Sequence, residues 1–172
     1  MSGSNNKSAV KIATLAISIA IVTVFTMVVR IPTGKGYLNL CDVAIAFLAY
    51  SLGPITAGVA GGLGPALADA IGGYPQWAIV SFLVHGLEGL VMALIVYGDK
   101  ISFGRKLLAG LSCILLVAGG YCVLSGLFLT GWEAAIAEIP GNIMQSGVGA
   151  VAGLFLSEGV KKAYPPIRGL AF

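Results

Sequence analysis

Inside a long apolar run stand two ionisable side chains, His85 and Glu88, three residues apart. On a helix that spacing makes them neighbours on one face. An imidazole beside a carboxylate can hold a polar ligand, move a proton, or tie two helices together. In lipid such a pair costs several kcal/mol unless it is partnered or lines a wet hollow. The rule that ionisable groups inside a membrane are functional favours a ligand role, with Glu88 aimed into an outward-facing pocket. Catalysis is the poorer reading, because no motif positions a Ser or Cys nucleophile and no second carboxylate follows at a useful spacing. No catalytic residue is assigned.

Other polar groups recur near the ends of apolar runs. Asn142 and Gln145 lie three apart just after Pro140. An amide in lipid needs a partner, and either a neighbouring helix or a ligand would serve. Asp69 falls within the string GGLGPALADAIGGYPQW, with Tyr74, Gln76 and Trp77 after it. Those aromatics form an interfacial belt or the mouth of a site. Asn39 and Asp42 sit in the polar stretch 30–42. The glycines are not a phosphate loop, since no Gly-Lys-Ser/Thr ending follows, and no strand precedes them as a dinucleotide fingerprint would require. Cys41, Cys113 and Cys122 are an odd number without C-x-x-C spacing. With a single histidine they suggest neither a disulfide framework nor a metal site. No cofactor is expected.

The elements that must position these groups are helices in lipid. The chain has 172 residues, of which 58% are apolar and 10% charged, and its mean hydropathy is +0.96. A soluble domain carries about 25% charged residues, so seventeen charges are too few to cover a water-facing surface. Disorder needs the opposite composition. The net charge of +3 forms no basic stripe with interleaved aromatics, which argues against nucleic acid. A single membrane domain spanning residues 1–172 is expected, all-α, with six transmembrane helices. The apolar runs are about 9–29, 43–52, 55–70, 77–97, 107–130 and 140–156. Gly53-Pro54 separates the second from the third as a tight turn. The first run is read as a retained helix, being long for a signal peptide and lacking an A-x-A site. Loops are expected at 30–42, 71–76, 98–106 and 131–139.

With six spans both termini share one side. That side collects Lys7, Lys11, Lys100, Arg105, Lys106, Lys161, Lys162 and Arg168, against Arg30 and Lys35 opposite. The bias makes both termini cytoplasmic. Asn39, Asp42, Asp69, Tyr74, Gln76, Trp77, His85, Glu88, Asn142 and Gln145 then gather toward the outer end. Flat aromatic walls with a few amides and carboxylates suit a small polar ring compound. An ion channel would need a through-path lined by rings of groups. On the first helix Ala9, Ala13, Ala16 and Ala20 share a face. Small residues at that spacing allow a second helix to approach closely, and spacing alone leaves open whether that helix is internal or belongs to a partner.

The chain resembles the substrate-binding S components of energy-coupling factor (ECF) vitamin transporters. The likeness covers nearly the whole length. It rests on the Ala-rich first helix, GYLNLCD at 36–42, GGLGPALADAIGGYPQW at 61–77, HGLEG at 85–89 and IPGNIMQ at 139–145, and is nearest to the hydroxymethylpyrimidine-type branch. The resemblance implies six helices in a bacterial plasma membrane, holding a vitamin or precursor near the outer face. It implies a first outer loop that covers the ligand, here with Gly34, Gly36 and Tyr37. It also implies partners: a transmembrane coupling protein (the T component) and two cytoplasmic ABC-type ATPases. The docking face would be Ala16 and Ala20, with Ala13 beside them. Hydroxymethylpyrimidine or pyridoxine fits this chemistry best; riboflavin, pantothenate or a membrane enzyme using His85 and Glu88 are the alternatives.

Overall fold

The computed structural model describes residues 2–33, 36–98 and 101–172. Gly34, Lys35 and Lys100, each invoked above, lie outside the described residues. The chain is all-α apart from one small hairpin. Its helices are α1 (Ser2–Val28), α2 (Cys41–Ser51), α3 (Pro54–Ile71), α4 (Ala78–Val96), α5 (Phe103–Phe128), α6 (Trp132–Ala137) and α7 (Ile139–Ala163). Strands β1 (Ile31–Pro32) and β2 (Tyr37–Leu38) pair antiparallel within the stretch expected as a loop.

The molecule is apolar outside and polar within. Ile79, Leu115 and Phe155 are each more than 70% exposed, while Asp42, His85 and Glu88 are fully buried. That inversion follows when lipid is the solvent, because unpartnered polar groups are costly there. Among the described residues, four segments are long and apolar enough to cross a membrane: Lys7–Val28, Pro75–Val96, Phe103–Phe128 and Ile139–Ala163. With only 11 residues, α2 rises about 16 Å, half of a hydrocarbon core about 30 Å thick.

α2 is the centre of the bundle, with nine of its eleven residues buried. It packs against α1, α3, α4 and α7. Gly153 of α7 lets the α2 backbone approach, since a Cβ there would meet Ala46 and the Val43 carbonyl at 2.6 Å. Gly58 and Gly62 of α3 do the same against α4, at Leu90 and Phe82. These small residues pack inside the bundle. Gly53 makes the α2–α3 turn with φ of +85°, a conformation that glycine adopts without strain. Phe172 at the other end of the chain clasps that turn, its N–H donating to the Leu52 carbonyl and its carbonyl accepting from Ile55.

Four boundaries differ from expectation. α1 starts at Ser2 rather than near residue 9. α7 runs on to Ala163, carrying Lys161 and Lys162 in its last turn, where cations complement the helix dipole. A 3-10 turn, Pro75–Trp77, occupies the loop before α4. The stretch 131–139 holds α6, because the run Glu-Ala-Ala-Ile-Ala consists largely of strong helix formers.

Candidate functional site

The β1–β2 hairpin, the turn before α4, α6 and the start of α7 close over one end of the bundle. Between them and the core lies a cavity of about 620 Å³. Of the ten residues nominated from sequence, Asn39, Asp69, Trp77, His85, Asn142 and Gln145 line it. Asp42 and Glu88 do not; they are fully buried beneath His85. Tyr74 packs on Tyr37 instead, with ring centroids 4.9 Å apart, and Gln76 is exposed. An expectation that Glu88 itself points into the pocket is thus corrected. The imidazole stands between it and the cavity.

The floor is a hydrogen-bonded set from three helices. An N–H at His85 Nδ1 donates to Glu88 Oε2 across 2.7 Å. The Gln145 amide nitrogen donates to Asp42 Oδ2 (2.6 Å) and its oxygen accepts from the Asn39 backbone N–H (2.7 Å). The Asn39 side chain in turn caps Cys41 N at 2.7 Å, opening α2. Gln145 therefore serves the floor's structure as much as the cavity. Asn142 differs: its side-chain amide borders the cavity and bonds no other described residue.

One wall is aromatic. Trp77 and Tyr121 lie 6.1 Å apart between centroids, and Tyr121 meets His85 edge-on at 5.5 Å. Tyr121 also anchors a polar relay. The Ser81 hydroxyl donates to Asp69 Oδ2 at 2.6 Å, so its oxygen accepts from Tyr121 at 2.7 Å. The second Asp69 oxygen accepts from Tyr37 at 2.6 Å. Both carboxylate oxygens are engaged, which stabilises a charge buried near an apolar environment. Burial, and then the Asp69 carboxylate that accepts its proton, push the Tyr37 phenol above its ordinary range.

The hairpin is strapped at both sides. Tyr37 ties it to α3, and the Thr33 hydroxyl donates to Glu138 at the α6–α7 junction across 3.1 Å. Arg30 lies over the Tyr37 ring at 4.6 Å and donates to the Ala68 and Gly72 carbonyls. It thereby satisfies the Gly72 carbonyl past the end of α3 and adds a second donor at Ala68, which already accepts from the Gly72 N–H.

Sequence reasoning missed Tyr121, Ser81 and Thr33. Tyr121 carried a usable signal: a phenol in mid-span of an apolar helix needs a partner. Ser81 and Thr33 carried none, since hydroxyls are common in helices and loops alike.

At the opposite end Lys106, Glu158, Lys161 and Arg168 surround a second hollow of about 550 Å³. On α1, Ala9, Ala13, Ala16 and Ala20 are all exposed. Among the described residues that face is left uncovered.

A buried polar floor, an aromatic wall and a strapped hairpin over a hollow define a membrane-embedded binding protein. Residues 6–162 match the family described as "ECF-type riboflavin transporter, S component". The chain belongs to this family of S components; it is a multi-pass cell-membrane transport protein and not an enzyme. It is 40% identical over 148 residues to an uncharacterised protein of Pyrococcus woesei, covering 85% of this chain and 98% of that one. It is 31% identical over 156 residues to the thiamine precursor transporter HmpT of Lactococcus lactis, covering 89% of each.

Proposed function

We propose that this chain is the substrate-capture subunit of an ATP-driven importer, taking a small vitamin or vitamin precursor from outside the cell. All six longer helices sit in the membrane, α2 and α3 as a short pair, with both termini cytoplasmic. Eight basic residues against two support that orientation. The observation that carries the reading is the 620 Å³ cavity, which lies within the range of small-molecule sites. It is walled by Trp77 and Tyr121, roofed by the hairpin, and offers the Asn142 amide and the His85 ring. Hydroxymethylpyrimidine or pyridoxine is the preferred ligand: a flat heteroaromatic ring stacks on Trp77 while its polar edge meets Asn142, Asn39 and His85. Similarity to the lactococcal thiamine precursor transporter supports the pyrimidine. Asp69 and Gln145 hold the walls in place, and Asp42 and Glu88 hold His85. The exposed Ala13, Ala16 and Ala20 face docks a transmembrane coupling protein, which joins two ABC-type ATPases.

Riboflavin is the second reading, favoured by the description of the matching family and by a cavity larger than a pyrimidine alone would fill. Mass spectrometry of what co-purifies in mild detergent, followed by calorimetric titration with hydroxymethylpyrimidine, pyridoxine and riboflavin, decides between them. Saturable binding of hydroxymethylpyrimidine or pyridoxine, with riboflavin far weaker, is the expected result. Tight riboflavin binding would replace it, and no binding of any flat vitamin would remove the capture role.

A further inference from the structure

Behind the cavity floor, three helices bring metal-type donors to one point. α2 supplies Cys41 and Asp42, α4 supplies His85 and Glu88, and α5 supplies Cys113, all of them buried. Around His85 Nδ1 stand Glu88 Oε2 at 2.7 Å, Asp42 Oδ1 at 3.8 Å and Cys41 Sγ at 3.9 Å. Cys41 Sγ is 3.4 Å from Asp42 Oδ2. Donors sharing one tetrahedral zinc-type ion, with bonds of about 2.0–2.3 Å, stand about 3.3–3.6 Å from one another. Cys41, Asp42 and His85 offer donor atoms that all lie within 4.8 Å of one another; side-chain rotations would close these three on an ion and bring Glu88, now hydrogen-bonded to the imidazole, to it as the fourth.

A second observation points the same way. Asp42 Oδ1 is buried and has no hydrogen-bond partner. A carboxylate oxygen left so is costly, and this one faces the His85 ring. The charge is also unbalanced. Asp42 and Glu88 form no ion pair with a lysine or arginine among the described residues, and His85 is the only ion-pair partner either has. A divalent cation would offset two of the three negative charges that the two carboxylates and a Cys41 thiolate present.

We propose that His85, Asp42, Glu88 and Cys41 form a site for a single zinc-type divalent ion, behind the cavity rather than in it. On binding, the Cys41 thiol gives up its proton to solvent, its sulfur bonds the ion as thiolate, and the neutral imidazole carries its proton on Nε2. The remaining contacts suit outer partners that hold metal ligands in place. The Cys113 thiol donates to Glu88 Oε1 at 3.2 Å, and Gln145 donates to Asp42. His85 borders the cavity, which gives the ion its way in. The ion would pin α2 to α4 and fix the floor imidazole. None of this depends on which vitamin is captured, and the test uses none.

The full chain in detergent, stripped with a chelator, is titrated with Co²⁺ and then Zn²⁺. The expected result is one Co²⁺ per chain, showing a thiolate-to-cobalt charge-transfer band and intense four-coordinate absorption, and displaced by Zn²⁺. Cys41→Ala should erase the charge-transfer band. Asp42→Asn should weaken binding roughly tenfold or more, and Cys122→Ser, outside the cluster, should change nothing. Should the ligand variants fail to fold, X-ray absorption of the unaltered zinc-loaded chain still decides, by showing one sulfur among nitrogen and oxygen neighbours. No saturable binding, a cobalt spectrum without the thiolate band, or a zinc shell without sulfur would overturn the proposal. So would a charge-transfer band that survives Cys41→Ala in a folded chain.

Discussion

α1 and α2 are adjacent in the chain and opposite in character. α2 is wrapped on its sides by four other helices, and its polar residues Asp42 and Ser51 find partners inside the bundle. α1 rests mainly on α3, where Thr23 donates to the Gly64 carbonyl at 3.2 Å, with a smaller contact to α2, and leaves its other face open. Its exposed residues include large ones, such as Ile12 and Ile17, and the small row Ala13, Ala16 and Ala20. Lipid accepts the large residues. The small row is different, because a flat stripe of alanines gains little from lipid chains and much from another helix's backbone. A helix with all its partners inside the chain serves the site. A helix with a face left over fits the docking role proposed for it.

The largest predicted effect tests that division. Ala16→Trp with Ala20→Trp should abolish vitamin uptake by cells expressing the whole transporter. The same double variant, purified, should bind ligand within roughly twofold of the unaltered chain, because the altered face packs nothing internally and acts only between helices. Radiolabelled uptake and calorimetry provide the two readings. Loss of both would mean that α1 supports the cavity and that the contrast with α2 is false.

How far this was legible in the sequence differs between the same two helices. Hydropathy alone marks α1, and the Ala spacing exposes its odd face, although only the fold shows that nothing inside the chain covers it. α2 was visible as a short run bounded by Gly53-Pro54, but its depth was not. Asp42 looked like a loop-edge residue of the outer mouth, and it is fully buried because Gly149 and Gly153 let α7 close over it. Glu88 was correctly paired with His85 by spacing. Which of the two would meet the cavity depends on helix rotation, which spacing does not set. The donors Cys41, Asp42, His85, Glu88 and Cys113 are scattered over more than seventy positions, so no ligand-spacing motif could announce them. α6 was hidden because a short helix with Trp and Glu at its start reads as an interfacial loop.

A smaller effect is expected at the aromatic wall, where the 3-10 turn before α4 places Trp77. Trp77→Ala removes one face of the aromatic wall without touching the floor's hydrogen bonds. Stacking of a heteroaromatic ring on an aromatic side chain is worth about 1–3 kcal/mol, so a loss of about 2 kcal/mol, near 30-fold in Kd, is expected. Uptake should fall in step with affinity and recover at saturating ligand. That recovery separates a capture defect from the docking defect of α1, which no ligand concentration repairs. An unchanged Kd would place the ligand elsewhere.

The smallest effect concerns the roof. Gly36 follows the hairpin's bend, and its N–H donates to the Thr33 hydroxyl at 3.2 Å. That same hydroxyl reaches Glu138 at the α6–α7 junction. Proline at 36 has no N–H and fixes φ near −65°, so Gly36→Pro removes the bond and disturbs the strap at a residue of the cavity's roof, leaving the aromatic wall and the floor in place. One neutral hydrogen bond contributes about 1 kcal/mol, or roughly a fivefold rise in Kd. If the hairpin is a cover, the change should fall mainly on dissociation, because a loosened roof lets the ligand leave while the walls still receive it. Stopped-flow dissociation measured by Trp77 fluorescence would report this. An affinity and an off-rate both unchanged would show that the hairpin is a fixed rim, and that capture resides wholly in the helices below it.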